Sequence, residues 1–275
     1  MILNLNGTLM TAEAARIDPA DRGVTLGDGL FETMAVREGR VARLPAHLRR
    51  LREGARLLRL PLPETDALLS DRLYATLTAN ALSEGILRLT VTRGVAGRGL
   101  AIPIDAVPTV LVTASPSLPP EQPVHAVIAT VTRRNQYSPL SRLKSLNALD
   151  AILAREEAAA RGAMEAVLLN TEGRLAETTI ATLFLVLEGR VHTPPVADGA
   201  LPGVMRADVI RGLGGEETPL VPADLFRATE VFVTNALGVR PMLTVDGRPV
   251  GGATRAQETV RILSSKSAPL GFWES

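Results

Sequence analysis

The stretch SRLKSLNALDAIL, residues 141–153, contains Lys144, one of only two lysines in a chain of 275 residues; the other is Lys266. Every other basic residue counted with them is an arginine. An arginine stays protonated, whereas a partly desolvated lysine can lose its proton and form a Schiff base. Two interpretations follow: a solvated surface lysine in an arginine-rich chain, or a reactive lysine just ahead of an apolar helical pattern.

The composition indicates a folded protein with a nearly neutral surface. Hydrophobic residues make up 46% and charged residues 21%, and the net charge is +1, so neither nucleic acid nor a membrane is predicted as a partner. There is no cysteine and there are three histidines, so we predict no disulfide, no thiol catalysis and no metal site. No segment has the pattern of a signal peptide or a membrane span, and we predict a cytoplasmic location.

The proline-rich segment SPSLPPEQP divides the chain. We predict a small N-terminal domain over 1–114, a linker over 115–123 and a larger C-terminal domain over 124–275. Strands are predicted at 86–93, 107–114, 124–132, 165–170, 181–187 and 230–237, and helices at 47–60, 65–82, 145–161, 204–213 and 253–265. Because strands and helices do not alternate strictly, we expect an α+β fold with mixed or antiparallel sheets and flanking helices.

Glu177 follows a turn in TEGRLAETTIATLFL, residues 171–185, at the start of an apolar strand pattern. One interpretation is an edge-strand carboxylate in water. The other is a buried carboxylate that holds a proton on a heterocyclic nitrogen.

A second pattern, ADGALPGVMRADVI at 197–210, places a Pro-Gly turn before a helix. The amides of Val204 and Met205 would then be helix N-terminal donors that can bind phosphate. A Pro-Gly turn is also common before helices where it has only a structural role. Arg50 could add a bidentate guanidinium to the same phosphate. Its neighbours Arg49 and Arg52 would be solvated, and the sequence alone leaves open which arginine points inward.

Six blocks resemble, in order, the class IV aminotransferases, the fold-type IV group of pyridoxal 5'-phosphate (PLP) enzymes. This group includes branched-chain and D-amino acid aminotransferases and 4-amino-4-deoxychorismate lyase. The blocks are LGDGLFET (26–33), AHLRRL (46–51), LKSLN (143–147), GRLAET (173–178), LPGVMR (201–206) and VTNALGVRPM (233–242). The resemblance implies a two-domain fold, a C-terminal PLP-binding domain and a homodimer.

The resemblance also implies roles for individual residues. Lys144 would be the Schiff-base lysine and would move the proton at the substrate carbon. Glu177 would be the partner of the pyridine nitrogen. Arg50 and the amides of Val204 and Met205 would hold the phosphate.

Several positions depart from the family pattern. Asn235 stands where members of the family usually have a hydroxyl residue that binds the cofactor phosphate. Thr182 stands where members usually have an Asn, a few residues after the Glu that corresponds to Glu177. Leu149 replaces the Tyr that many branched-chain enzymes carry five positions after the lysine. Tyr137 is a candidate contact of the ring hydroxyl instead.

The substrate residues match the D-amino acid enzymes only in part. Arg98, in the Gly-rich VTRGVAGRGL at 91–100, has the place of the arginine that binds the substrate α-carboxylate. Phe31 and Leu100 occupy the places of the Tyr and His that assist it. The GRG sequence and TNALGVRPM also resemble the aminodeoxychorismate lyases.

The sequence therefore predicts a PLP-dependent aminotransferase. Its small-molecule partners would be an amino donor, either a (D-)amino acid or a primary amine, and a 2-oxo acid. One alternative is a lyase that eliminates pyruvate with the same lysine, and another is a branched-chain aminotransferase. A PLP-binding or structural protein without turnover is the alternative from a different class.

Overall fold

The computed structural model describes residues 1–116 and 122–251, which form two compact units. Of these residues, the first unit comprises 1–116 and Lys144–Asn147, and the second comprises 122–143 and 148–251. Residues 117–121 of the predicted linker, the predicted helix over 253–265 and Lys266 lie outside the described residues. The predicted domain boundaries stay a prediction.

The first unit is built on a six-stranded antiparallel sheet with the strand order β2-β1-β6-β5-β3-β4. Its strands are β1 (Ile2–Leu5), β2 (Thr8–Thr11), β3 (Gly29–Arg37), β4 (Arg40–Val41), β5 (Gly85–Thr92) and β6 (Thr109–Ser115). Its helices are α1 (Arg22–Leu26), α2 (Leu44–Leu58) and α3 (Asp66–Ala79). Helix α2 packs on β3, and α3 packs on β1 and β6.

The two faces of this sheet differ because side chains alternate along each strand. On β5, Leu87 and Leu89 are fully buried, whereas the intervening Arg88 is only partly buried. On β3, Met34 is fully buried and Phe31 partly buried. The sheet therefore has one apolar, covered face and one half-buried face that carries Phe31 and Arg88.

The second unit is built on a nine-stranded mixed sheet with the order β12-β11-β10-β13-β14-β7-β8-β9, and β15 pairs with β14. Its strands are β7 (Val124–Ile128), β8 (Glu165–Leu169), β9 (Leu175–Thr178), β10 (Thr182–Leu187), β11 (Arg190–Thr193), β12 (Glu216–Glu217), β13 (Glu230–Asn235), β14 (Gly238–Val245) and β15 (Arg248–Pro249). Its α-helices are α4 (Leu149–Ala160), α5 (Val204–Leu213) and α6 (Pro222–Arg227), and 3-10 turns cover Pro139–Arg142 and Val196–Asp198.

Helix α5 covers the centre of this sheet. The rings of Phe184 on β10 and Phe232 on β13 stack with centroids 5.0 Å apart, and Met205 and Val209 of α5 pack against them. Helix α4 covers β8 with small residues, which allows a close approach of its backbone. The α+β fold with mixed and antiparallel sheets is confirmed.

The predicted strands and helices within the described residues are present, but several boundaries differ: α2 begins at Leu44 rather than at 47, and α3 ends at Ala79 rather than at 82. Three further differences have a structural cause. The helix predicted over 145–161 begins at Leu149, because Lys144–Asn147 pairs with β3 instead. The strand predicted over 124–132 ends at Ile128, where the chain turns its amides to Glu157. The strand predicted over 230–237 ends at Asn235, where β13 turns into β14. No helix in the described part of the chain is long and apolar enough to cross a membrane.

Candidate active site

Lys144 lies in the first unit, on a short extended segment beside β3. The amide of Phe31 donates to the Lys144 carbonyl at 2.9 Å, and the amide of Leu146 donates to the Gly29 carbonyl at 3.0 Å. The Nζ atom of Lys144 lies 4.5 Å from the centroid of the Phe31 ring. Strand β3 therefore fixes the backbone of Lys144 and places its amine over the half-buried face of the sheet.

Arg88 shares this face and was not singled out by the sequence motifs. Its Cζ atom lies 3.7 Å from the centroid of the same Phe31 ring, and its Nε donates to Thr90 Oγ1 at 3.3 Å. Burial lowers the pKa of Arg88 below its usual value. No carboxylate among the described residues forms an ion pair with Arg88. The available signal was a charged residue between the leucines of a predicted strand.

Arg50 is the arginine of α2 that points inward. Its Nε and Nη2 donate to the two carboxylate oxygens of Glu32 at 2.8 and 2.6 Å, and His47 Nδ1 lies 2.6 Å from the same carboxylate. Glu32 and His47 are both buried at 1% exposure. Arg49 is exposed, and Arg52 pairs with an aspartate at the surface of the unit. The question that the sequence left open is thereby answered in favour of Arg50.

Glu32 holds the Arg50 guanidinium as an ionised partner. Burial raises the pKa of the Glu32 carboxyl, but the hydrogen bonds from Arg50 and His47 outweigh burial and hold this pKa below its ordinary value. Burial also lowers the pKa of His47, against the effect of Glu32. Sequence reasoning missed both residues, and it predicted no strand at β3, which carries Glu32.

Arg98 lies exposed on the loop between β5 and β6. The loop is tied to the body of the first unit by the buried Arg22, which donates to the carbonyls of Gly99 at 3.0 Å and Ala101 at 3.3 Å. Arg22 is itself paired with Asp28 at 2.8 Å. The loop that carries Arg98 is therefore anchored directly after that residue.

Glu177 lies in the second unit on the short strand β9, rather than at the start of the long strand β10. Its Oε1 pairs with Arg134 Nε at 2.9 Å, and its Oε2 accepts the amide of Leu201 at 3.0 Å. Arg134 is held in turn by the Ser141 carbonyl at 2.8 Å. The carboxylate is largely buried, its orientation is fixed and its charge is compensated. Arg134 was missed because it lies 43 positions away in the sequence.

Helix α5 begins in the second unit at Val204, directly after Gly203, and no side chain caps its first turn. The amides of Val204 and Met205 therefore remain as helix N-terminal donors of the kind that bind anions. A Cβ atom on Gly203 would stand 2.9 Å from Thr182 Oγ1. The close approach of this turn to β10 thus requires glycine.

Asn235 and Tyr137 are both engaged in local hydrogen bonds. Asn235 Oδ1 accepts the amide of Leu237 at 3.0 Å in the turn after β13, and its Nδ2 donates to the Ile180 carbonyl at 3.5 Å. The Tyr137 ring is 77% exposed, and its hydroxyl donates to Glu172 at 2.8 Å. This hydrogen bond raises the pKa of the Tyr137 hydroxyl.

The family model for amino-transferase class IV matches residues 29–245. The chain belongs to the class IV aminotransferases. It is 33% identical to a putative branched-chain-amino-acid aminotransferase of Methanocaldococcus jannaschii, over 95% of this chain and 94% of the relative. It is 29% identical to a D-alanine aminotransferase of Bacillus licheniformis, over 90% and 89%.

Solved structures add a third activity to these relatives. The chain is 36% identical to 4-amino-4-deoxychorismate lyase from Pseudomonas aeruginosa, with a TM-score of 0.80 over 94% of this chain and 98% of that one. Class IV aminotransferases depend on PLP, which confirms the predicted enzyme class and cofactor. Because the relatives carry three activities, membership of the family does not select the substrate.

The groups present fit PLP in their chemistry. A partly buried lysine offers an amine, and Glu177 offers a fixed carboxylate for a ring nitrogen. Arg50 and the uncapped start of α5 are donors suited to a phosphate.

Proposed function

We propose that this class IV aminotransferase moves an amino group between amino acids, D-amino acids among them, and 2-oxo acids, and that it also accepts primary amines. The observation that carries this proposal is the placement of Lys144 Nζ and the Arg88 guanidinium against the ring of Phe31. An α-amino acid brings both an amino group and a carboxylate to the lysine. The half-buried guanidinium of Arg88 adds a positive charge to this face, which favours an anionic substrate beside the lysine.

The roles of the cofactor residues follow the same proposal. PLP, when bound, supplies an electron-accepting ring. Lys144 Nζ would hold the cofactor covalently and, once the substrate amine has displaced it, would move the proton at the substrate α-carbon. Glu177, oriented by Arg134, holds the proton on the ring nitrogen. Arg50 and the amides of Val204 and Met205 hold the phosphate.

The remaining site residues are proposed in supporting roles. Arg98 binds the substrate α-carboxylate from its anchored loop, and Phe31 forms the apolar surface beside the lysine. Asn235 and Tyr137 stay proposed contacts of the phosphate and of the ring hydroxyl. Asn235 would donate from Nδ2, which now meets the Ile180 carbonyl, and the Tyr137 hydroxyl would give up its donation to Glu172 in order to donate to the ring oxygen.

A lyase is the second candidate, and two observations favour it. The chain is 36% identical to the lyase from P. aeruginosa over 94% of its length. The loop before Leu100 has the GRG sequence of that group. A lyase would use Lys144 to release pyruvate from aminodeoxychorismate without an amino acceptor.

One assay series separates these functions. Purified enzyme is incubated with D-alanine, L-leucine or 1-phenylethylamine in the presence of 2-oxoglutarate, and the glutamate formed is resolved by chiral chromatography. We expect D-glutamate from D-alanine, with strict dependence on the 2-oxo acid. Formation of L-glutamate from L-leucine alone would indicate a branched-chain enzyme. Pyruvate from aminodeoxychorismate without an acceptor, with no amino transfer, would indicate the lyase.

We further propose that the enzyme is a homodimer, as the family resemblance implies, and that it is cytoplasmic, as expected from the sequence pattern. Light scattering on the purified protein measures its mass in solution directly. A mass of one chain would contradict the dimer.

A further inference from the structure

Successive backbone carbonyls of the loop that carries Arg98 converge on one buried guanidinium. Arg22 Nη1 donates to the carbonyls of Gly99 at 3.0 Å and Ala101 at 3.3 Å, and its Nη2 donates to the Leu100 carbonyl at 3.5 Å. Arg22 is 5% exposed. An arginine can hold several acceptors in one geometry, because its N–H groups lie in one rigid plane. These contacts therefore fix the backbone directly after Arg98.

The guanidinium of Arg22 is itself held from outside the loop. Its Nε donates to Asp28 Oδ2 at 2.8 Å, and Arg93 Nε donates to the same oxygen at 2.7 Å. Burial raises the pKa of the Asp28 carboxyl, but the hydrogen bonds from the two arginines outweigh burial and hold this pKa below its ordinary value. Asp28 is therefore ionised at neutral pH and orients Arg22 towards the loop.

Arg93 shares the Asp28 carboxylate but holds a different element. Its Nη1 donates to the Arg59 carbonyl at 2.8 Å and its Nη2 donates to the Leu58 carbonyl at 2.9 Å, at the end of α2. One carboxylate thus orients two buried arginines, of which one holds a loop and the other holds the end of a helix. Each arginine can lose its carbonyl contacts without removal of Asp28, so the two form a matched pair for experiments.

The loop needs a glycine where it bends around Arg22. Gly99 has a φ of +108°, which other residues rarely adopt, and a Cβ atom there would meet nothing within 4 Å. The backbone conformation, rather than crowding, therefore requires this glycine. While the carbonyls of residues 99–101 face Arg22, the side chains of Arg98 and Leu100 are exposed.

The Arg98 side chain has no other support. Within residues 1–116 and 122–251, nothing forms an ion pair with Arg98, so its position depends on the backbone that carries it. A guanidinium that binds a carboxylate through two hydrogen bonds must be placed accurately.

We infer that Arg22 is a positioning residue for substrate selection: it holds the loop so that Arg98 meets the α-carboxylate of an amino acid. The inference rests on the proposed role of Arg98. It adds that the preference for a carboxylate over a neutral amine depends on a buried side chain that does not touch the substrate.

Arg22→Lys is the test variant, because lysine keeps a charge beside Asp28 but lacks the planar group that reaches several carbonyls. The KM for D-alanine should rise about 10-fold with kcat nearly unchanged, as expected when a charge-assisted contact is weakened. The KM or inhibition constant of 1-phenylethylamine should not change, because this amine has no carboxylate. In an Arg98→Ala background, Arg22→Lys should cause no further rise for D-alanine.

Limited proteolysis of the apoenzyme measures the loop without turnover. Trypsin can cut after the exposed Arg98, but the surrounding backbone must first leave the fold. Arg22→Lys should make this cut faster and release the fragment 1–98, which mass spectrometry identifies.

Arg93→Lys is the matched control, since it keeps a charge beside Asp28 and loses only the contacts to the end of α2. It should lower thermal stability without changing the ratio of the two constants or the rate of the cut after Arg98.

Gly99→Ala is a second test variant, which leaves Arg22 intact and decides by the same measurements if Arg22→Lys does not fold. It should repeat the selective rise in the KM for D-alanine. Gly39→Ala is its control, because Gly39 also has a positive φ, of +72°, and open space around it. Gly39 lies in the turn between β3 and β4, and its substitution should not change the ratio of the two constants.

Three outcomes would overturn the inference, and only the last also affects the proposed function. If Arg98→Ala raises the KM for D-alanine selectively and Arg22→Lys does not, Arg22 has no positioning role and the proposed function stands. A faster cut after Arg98 with an unchanged ratio would show that Arg22 only stabilises the loop. If Arg98→Ala itself has no selective effect, the proposed role of Arg98 fails and the inference fails with it.

Discussion

At the scale of single residues, Arg50 and Glu177, both proposed to touch the cofactor, are each held by a partner of opposite charge. Glu32 binds two nitrogen atoms of Arg50, and Arg134 binds Glu177. Such partners restrict the rotamers of the binding groups before a ligand arrives. Removal of Glu32 would therefore be expected to loosen Arg50 as well as to unbalance a buried charge.

Glu177→Gln should keep PLP bound but lower turnover by about two to three decades, or about 3–4 kcal/mol. Glutamine has nearly the same shape, so β9 and its packing should survive. It cannot supply the negative charge that keeps a ring nitrogen protonated. Single-turnover kinetics and the absorbance spectrum of the bound cofactor measure the two effects.

Glu216→Gln is the control for this variant, because Glu216 is an exposed carboxylate of the same unit that pairs with Arg190 at the surface. It should retain turnover and spectrum. A Glu177→Gln enzyme with wild-type rate and an unchanged spectrum would show that Glu177 is an ordinary strand carboxylate.

Arg98→Ala should raise the KM for alanine about 10- to 100-fold and leave the KM for 1-phenylethylamine nearly unchanged. A bidentate, charge-assisted contact to a carboxylate contributes about 1.5–3 kcal/mol to substrate binding. Because 1-phenylethylamine has no carboxylate, it does not make this contact and cannot lose it. Arg88→Met is the comparison variant. Equal losses for both substrates would remove Arg98 from the carboxylate site. A selective loss in Arg88→Met alone would assign the α-carboxylate to Arg88.

At the scale of elements, alternation and helical spacing were enough to predict six of the fifteen strands in the described residues and the helices α2, α3 and α5. They failed where tertiary pairing replaced a local pattern. The apolar spacing after Lys144 continues the helical pattern of α4, yet Lys144–Asn147 bonds to β3, more than a hundred positions earlier. Hydrogen bonds to a distant strand leave no periodic signal in the segment itself.

The same limit applies to the site. Lys144, Glu177 and Arg50 could be proposed as site residues from motifs, because each lies in one of the six blocks that resemble the family. Their partners Glu32, His47 and Arg134 could not, because only the folded chain brings them into contact. The one local signal was a charge between apolar residues, at Arg88 in a predicted strand and at Glu32 in the sequence LFETMAV.

Glu157 joins α4 to the end of β7 and should make stability depend on pH. Its carboxylate accepts the amides of Thr130 at 2.8 Å and Val131 at 3.0 Å and pairs with Arg161. Burial raises the pKa of Glu157, but these contacts outweigh it and lower the pKa from 4.5 to about 2. Because the pKa is lower in the folded state, the ionised Glu157 carboxylate stabilises the fold. Its contribution to the free energy of unfolding is complete above pH 4.5 and is lost as the pH falls towards 2.

Glu157→Gln should lower the free energy of unfolding at pH 7 by about 1 kcal/mol, a value reduced by solvent screening. Urea unfolding at pH 7 and at pH 3 measures the free energy of unfolding of the variant and of the wild type. The difference between the two should be smaller at pH 3. Glu156→Gln, an exposed neighbour on the same helix, should show no such change. A difference that is constant with pH would contradict the role of the carboxylate.

At the scale of the whole molecule, the chain carries the proposed cofactor residues on two separately packed units, with Lys144 on the first and Glu177 on the second. The order of the six motif blocks identified the family, because each block supplies one chemical group. The choice among amino acid, amine and lyase substrates depends on side chains such as Arg88 and Arg98. These lie on one strand and one loop of the first unit, where related enzymes of different activity are free to differ.

The attachment of PLP to Lys144 is the claim on which the account depends, and the scarcity of lysine makes it directly measurable. Borohydride reduction fixes lysine-bound PLP as a stable secondary amine. Trypsin cuts after Arg142 and Arg155, and a modified Lys144 resists cleavage, so mass spectrometry should find the label on the intact peptide 143–155. Lys144→Ala should give no labelled peptide. A label on Lys266, or no label on wild-type protein reduced with PLP, would contradict the account.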